Sequence, residues 1–167
     1  MKKVYTGKAD PTPLGTVWVA VSERGLVAVE IGSTQVEFNT YLRQMRFAGL
    51  YDPDQTAEAT SQIREYLAGE RRDFDLAIDW SAMTVFQEAA LRLTLAIPFG
   101  QVTTYGEIAR QLGKPLAARA VGRAEATNPM PLVIPCHRVL GTDGSLHGYG
   151  APGGVKTKAW LLELEGR

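Results

Sequence analysis

The spacing of the apolar residues changes near residue 82, and that change sets two different folding problems for one chain. Upstream, Val17-Trp18-Val19-Ala20-Val21 and Leu26-Val27-Ala28-Val29-Glu30-Ile31 are β-branched runs joined by Ser22-Glu23-Arg24-Gly25. Two such runs across a short glycine-bearing turn predict an antiparallel hairpin. Val36 to Ala48 and Ala57 to Leu67 carry helix-like spacing, and Gly69 is placed to stop the second. Phe74 to Trp80 alternates as a strand or an extended connector does. Downstream the pattern is helical. Thr84 is an N-cap candidate with Gln87 three residues on, and Phe86, Ala90, Leu91, Leu93, Thr94 and Leu95 form a broad apolar face before Pro98. Thr104 is a second cap, with Glu107 at the capping-box position of a helix from Tyr105 to Leu112. Gly113-Lys114-Pro115 turns the chain into a third helix, Leu116 to about Ala126, and Val155 to Glu165 forms the last. The expected fold class is α+β, with domains at 1–82 and 83–167.

Helix, short turn, helix is also the order of a DNA-binding helix-turn-helix, although many helical pairs share it. Formal net charge is zero, which by itself argues against nucleic acid. The two halves differ, however. Residues 1–82 hold 9 Lys and Arg against 12 Asp and Glu, and residues 83–167 hold 9 against 6. The second half is therefore the one suited to phosphates. Ala118, Arg119, Ala120, Gly122 and Arg123 lie on its third helix, where small side chains permit close approach and the two arginines share a face. Packing inside the domain accounts equally well for the alanines. Glu125 places an acid on that same helix.

One cysteine cannot form an internal disulfide, and one cysteine with two histidines is a poor zinc set, so no metal is expected. The chain has no apolar run long enough to span a membrane, and its first residues lack a secretory apolar core, which gives a cytoplasmic expectation.

Pro135-Cys136-His137-Arg138 follows the strand-like apolar run Leu132 to Pro135. A lone cysteine is ordinarily a small buried hydrophobe. An imidazole and a guanidinium beside this one favour the thiolate, the nucleophilic form. Adjacent side chains diverge on a strand or a helix, so His137 is expected to reach the sulfur through a water. Glu165, an acid in the last turn of a helix, opposes the macrodipole. It is either solvated or positioned to accept the second ring N–H of His137.

These residues resemble the O6-alkylguanine-DNA alkyltransferases, also called methylated-DNA protein-cysteine methyltransferases. The resemblance spans Thr12-Pro13-Leu14-Gly15, Tyr66 to Glu70, Ile97 to Val102, Tyr105 to Ala109, Ala117 to Gly122, Asn128-Pro129, Ile134 to Val139, and Trp160-Leu161-Leu162 with Glu165-Gly166. It implies a ribonuclease-H-like N-terminal domain and a winged helix-turn-helix C-terminal domain, with no cofactor. It implies that Cys136 accepts the alkyl group, with His137 as its base through a water, Glu165 as the partner of His137, and Asn128 as a brace. Tyr105 would bond and protonate the extruded guanine, and Arg119 would fill the gap in the duplex. Tyr149, Gly150 and main-chain groups of Cys136 and Val139 would line the base pocket. The partner implied is double-stranded DNA bearing O6-alkylguanine, with O4-alkylthymine as a second candidate lesion. The chain is expected to act as a monomer, with cooperative assembly on DNA left open. The stretch from Tyr149 to Trp160 is two residues longer than the commonest family spacing. Two other readings remain: a non-catalytic lesion-binding module, and a thiol hydrolase using Cys136 and His137.

Overall fold

A computed structural model describes residues 1–167, which divide into two compact units, Met1–Ala82 and Met83–Arg167. The chain is α+β, and no helix is long and apolar enough to cross a membrane.

The first unit is built on a four-stranded sheet. β2 (Val17–Ser22) and β3 (Gly25–Ile31) form the expected antiparallel hairpin. β1 (Lys2–Ala9) pairs antiparallel with β2 and parallel with β4 (Phe47–Tyr51), giving the order β3-β2-β1-β4. The helix expected over Val36 to Ala48 is α1 (Gln35–Gln44), opened by a capping box between Thr34 and Glu37. It stops early because Arg46 turns to a φ of 67° and delivers Phe47 into the parallel strand. Phe47 there joins Val4, Trp18, Val27, Phe38 and Leu42 in the core. α2 (Ala57–Leu67) runs as expected, with Gly69 following at a φ of 77°. Residues 74–80 are a connector with a single bridge, Leu26 to Ile78. Gly25 permits it, because a Cβ there would stand 2.4 Å from the Ala77 carbonyl oxygen.

The second unit packs helices around a small parallel ladder. α3 (Val85–Leu95) is capped by Thr84, whose Oγ1 accepts from the Gln87 N–H at 3.2 Å. β5 (Thr103–Thr104) leads into α4 (Tyr105–Gln111), with Thr104 as its cap. Glu107 does not complete the capping box; its carboxylate is taken by Arg110 and Gln111. α5 (Ala118–Ala126) begins two residues later than expected, leaving Leu116 99% exposed in the turn before it. β5 pairs with β6 (Val139–Leu140), and α6 (Val155–Leu164) closes the unit. Ala90, Ile108, Ala109, Val121 and Val139 form its core. Leu132 to Pro135 is not a strand: Leu132 has a φ of 74°, and the chain turns directly into a short 3-10 segment at Cys136–Arg138.

Candidate active site

Three residues per turn send successive side chains about 120° apart, so the 3-10 turn Cys136–Arg138 separates three neighbours. Asn128 fixes the segment entering it. Its side-chain N–H donates to the Ile134 carbonyl and its Oδ1 accepts from the Met130 N–H, both at 2.9 Å, which ties the end of α5 to the approach to Cys136. Cys136 is 8% exposed and lines a cleft of about 630 Å³. The sulfur is thus not sealed in the interior.

His137 and Arg138 converge on one carboxylate. Glu165 caps α6 and is buried; its Oε2 lies 2.8 Å from His137 Nε2, and Arg138 donates to both oxygens at 2.8 Å. The Gly100 N–H adds a weaker contact to Oε1 at 3.3 Å. An acid at a helix C-terminus is unfavourable against the dipole alone, but a bidentate guanidinium outweighs that effect. Burial holds His137 below the usual imidazole value, against the pull of Glu165. The neutral ring then donates its Nε2 hydrogen to the carboxylate, which assigns the lone pair to Nδ1.

The cleft in front of the sulfur is shared by Tyr105 from α4, Ala118, Arg119, Gly122 and Glu125 from α5, Tyr149 and Gly150 from the loop, and Lys158 from α6. Seven of the residues singled out in the sequence are therefore brought together here: Cys136, Tyr105, Ala118, Arg119, Gly122, Tyr149 and Gly150. Ala120 and Arg123 lie on α5 but do not line the cleft, and Arg123 is exposed. Val139 does not line it either: its side chain is in the core and its carbonyl accepts from Lys158 Nζ at 2.8 Å.

Two expectations are corrected by the charges. His137 and Arg138 do not hold the resting sulfur ionised, because both serve Glu165. Burial, then Glu125, pushes the Cys136 thiol up to about 12, against Asn128 and Lys158. Glu125 does not face phosphates; it is 5% exposed, shares a hydrogen bond with the Thr94 hydroxyl, and is pushed up to about 8 by burial. Tyr105 is raised to about 12 by burial, Glu125 and Cys136, so it is a phenol at neutral pH.

Lys158 went unnoticed in the sequence. It is 1% exposed, and its ammonium also donates to Tyr105 Oη at 3.3 Å. Burial lowers its pKa while Cys136 and Glu125 raise it. A signal was present: Lys158, Leu161, Leu162 and Glu165 stand at i, i+3, i+4 and i+7, which puts the lysine on the same helix face as the carboxylate.

Comparison with known proteins matches residues 85–167 to the 6-O-methylguanine DNA methyltransferase DNA binding domain and residues 4–80 to the ribonuclease-like domain of the same proteins. A methylated-DNA–protein-cysteine methyltransferase of Methanosarcina acetivorans is 37% identical over 158 residues, covering 93% of this chain and 94% of that protein. One from Mycobacterium tuberculosis is 47% identical over 114 residues, covering 68% of this chain and 67% of its own length. The crystal structure of Mycobacterium tuberculosis OGT in complex with DNA superposes with a TM-score of 0.78 at 36% identity, covering 98% of this chain and 92% of that one. Sequence, fold and the order of the two domains agree, and the chain belongs to the 6-O-methylguanine DNA methyltransferase family.

Proposed function

We propose that this chain repairs double-stranded DNA by moving the alkyl group of O6-alkylguanine onto Cys136 in a single irreversible turnover. The observation that carries the proposal is one cleft holding Cys136, Tyr105 and Arg119 together, with His137, Arg138 and Glu165 paired beside it. The DNA complex of the mycobacterial relative supports DNA as the partner.

The O6 atom of a stacked guanine is out of reach, so the nucleotide must leave the helix at a cost of a few kcal/mol. Arg119, exposed on α5, is placed to occupy the gap. A thiol near 12 is not ionised at rest. Its proton therefore leaves through a water to His137 Nδ1 as the reaction proceeds, and Glu165 stabilises the imidazolium that forms. The sulfur attacks the alkyl carbon, the carbon–O6 bond breaks, and its electron pair stays on the purine. Tyr105 donates a proton to the departing base, and Lys158, bonded to Tyr105 Oη, stabilises the phenolate. The proton taken from Cys136 balances the one delivered. A thioether has no good leaving group, so one molecule repairs one lesion.

Incubation with a duplex containing one O6-methylguanine tests this. The peptide containing Cys136 gains the mass of one CH2, stoichiometrically and once. Absence of that gain overturns the proposal, and selective lesion binding without transfer would establish the non-catalytic reading instead.

A further inference from the structure

The mechanism above leaves the one carboxyl group lining the cleft without a role. Glu125 is 5% exposed and lines the cleft beside Cys136 and Tyr105. Its Oε1 is engaged with Thr94, and its Oε2 is buried with no hydrogen-bond partner. Thr94 Oγ1 also lies 3.2 Å from the Ala90 carbonyl, one turn back along α3. A hydroxyl has one hydrogen. When that hydrogen goes to Ala90, the contact with Glu125 needs a hydrogen from the acid, and the acid is then neutral. Burial acts in the same direction, raising Glu125 to about 8. The charged and titratable groups around it are Lys158 on α6, Tyr105 on α4 and Cys136. Lys158 directs hydrogens to Val139 and Tyr105, and no hydrogen bond joins it to Glu125 Oε2.

A neutral acid with its hydrogen shared with Thr94 leaves Oε2 as a carbonyl-type acceptor. Such an atom, buried without a partner, is unfavourable by about 1–3 kcal/mol, and an apolar side chain would avoid the loss. A ligand that brings a donor removes it. Alkylation at O6 strips guanine of its N1 hydrogen and leaves N1, N3 and N7 as acceptors. The one hydrogen-bond donor remaining on the base is the exocyclic 2-amino group.

We propose that Glu125 Oε2 accepts a hydrogen bond from the 2-amino group of the extruded base, so that Glu125 selects guanine-derived lesions. The inference rests on the reading of the cleft as the purine site. It is tested by single-turnover methyl transfer from two duplexes, one containing O6-methylguanine and one containing O6-methylhypoxanthine, which lacks only the 2-amino group. The wild type favours O6-methylguanine by about tenfold, the value of one ordinary hydrogen bond. Glu125→Leu and Glu125→Met remove the acceptor and reduce that preference to about twofold or less, whereas Glu125→Gln keeps a carbonyl and retains it. Each ratio is internal to one protein, so the fraction folded cancels, and the second apolar variant guards against a misfit of the first. An unchanged preference in the Leu and Met variants overturns the role of Glu125. A wild type that transfers methyl from neither duplex overturns the reading of the site beneath it.

Discussion

Two acids on helices of the second unit are buried to the same extent, 5% exposed each, and they sit in opposite surroundings. Glu165 meets a bidentate Arg138, the ring of His137 and the Gly100 amide. Glu125 meets one hydroxyl and the field of a lysine it does not touch. Burial alone disfavours both charges, and partners decide the outcome. With a guanidinium on both oxygens, Glu165 is a carboxylate and orients the imidazole beside it. Without one, Glu125 is an acid held up to about 8 at the cleft. The Glu165 side of Cys136 is therefore arranged to take a proton, and the cleft side is arranged to avoid a second negative charge near a sulfur and a purine that both become electron-rich.

The largest effect that breaks this contrast is removal of the paired acid. Glu165→Ala leaves Arg138 and His137 buried without their shared counter-ion, and we expect a loss of about 3–5 kcal/mol in urea unfolding. Glu165→Gln keeps the shape and removes the charge, so it lowers stability less while still slowing transfer to Cys136. Equal stability of the Ala variant and the wild type would mean that the network is incidental. Next in size is Tyr105→Phe. The phenol donates only as the base departs, so the variant binds lesion duplex as the wild type does and transfers the methyl group about 10–100-fold more slowly. A change in binding with an unaltered transfer rate would assign Tyr105 to recognition alone.

The elements that were legible in the sequence are those whose signals are local. The β2–β3 hairpin, the Thr84 and Thr104 caps and the glycine stop after α2 all follow from residues within a few positions of each other. β1 and β4 carry no such local signal. Lys2, Lys3 and Lys8 mask the alternation of β1, and the apolar residues of β4 read as the tail of α1 because nothing in the sequence marks the positive φ at Arg46. The run before Cys136 reads as a strand in the sequence for the same reason, since nothing marks the positive φ at Leu132. Within the site, residues adjacent to Cys136 were visible as a group, and their expected effect on the sulfur was not what the structure contains. Whether Arg138 faces the thiol or Glu165, and whether Glu125 faces phosphate or cleft, is decided by which side of a turn or helix the rest of the unit covers. That is tertiary information, and a charged residue on a short helix carries no mark of it.

The smallest effect is the most direct test of the contrast between the two acids. Glu125 titrates from its ordinary 4.5 in the unfolded chain to about 8 in the folded one. The folded state thus binds the proton more tightly. Its contribution to stability is fully present below about 4.5 and is lost as pH rises through about 8. Tyr105 and Cys136 are raised to about 12 and do not titrate in that window. Glu125→Gln has no proton to lose and retains a partner for Thr94. Its stability relative to the wild type should therefore increase with pH, by about 1 kcal/mol or more between pH 5 and pH 8, and level off above that. Urea midpoints of the two proteins at matched pH values measure the difference. If Glu125 were ionised throughout, the two curves would run parallel above pH 5, and the distinction between a paired acid on one side of Cys136 and a neutral one on the other would fail.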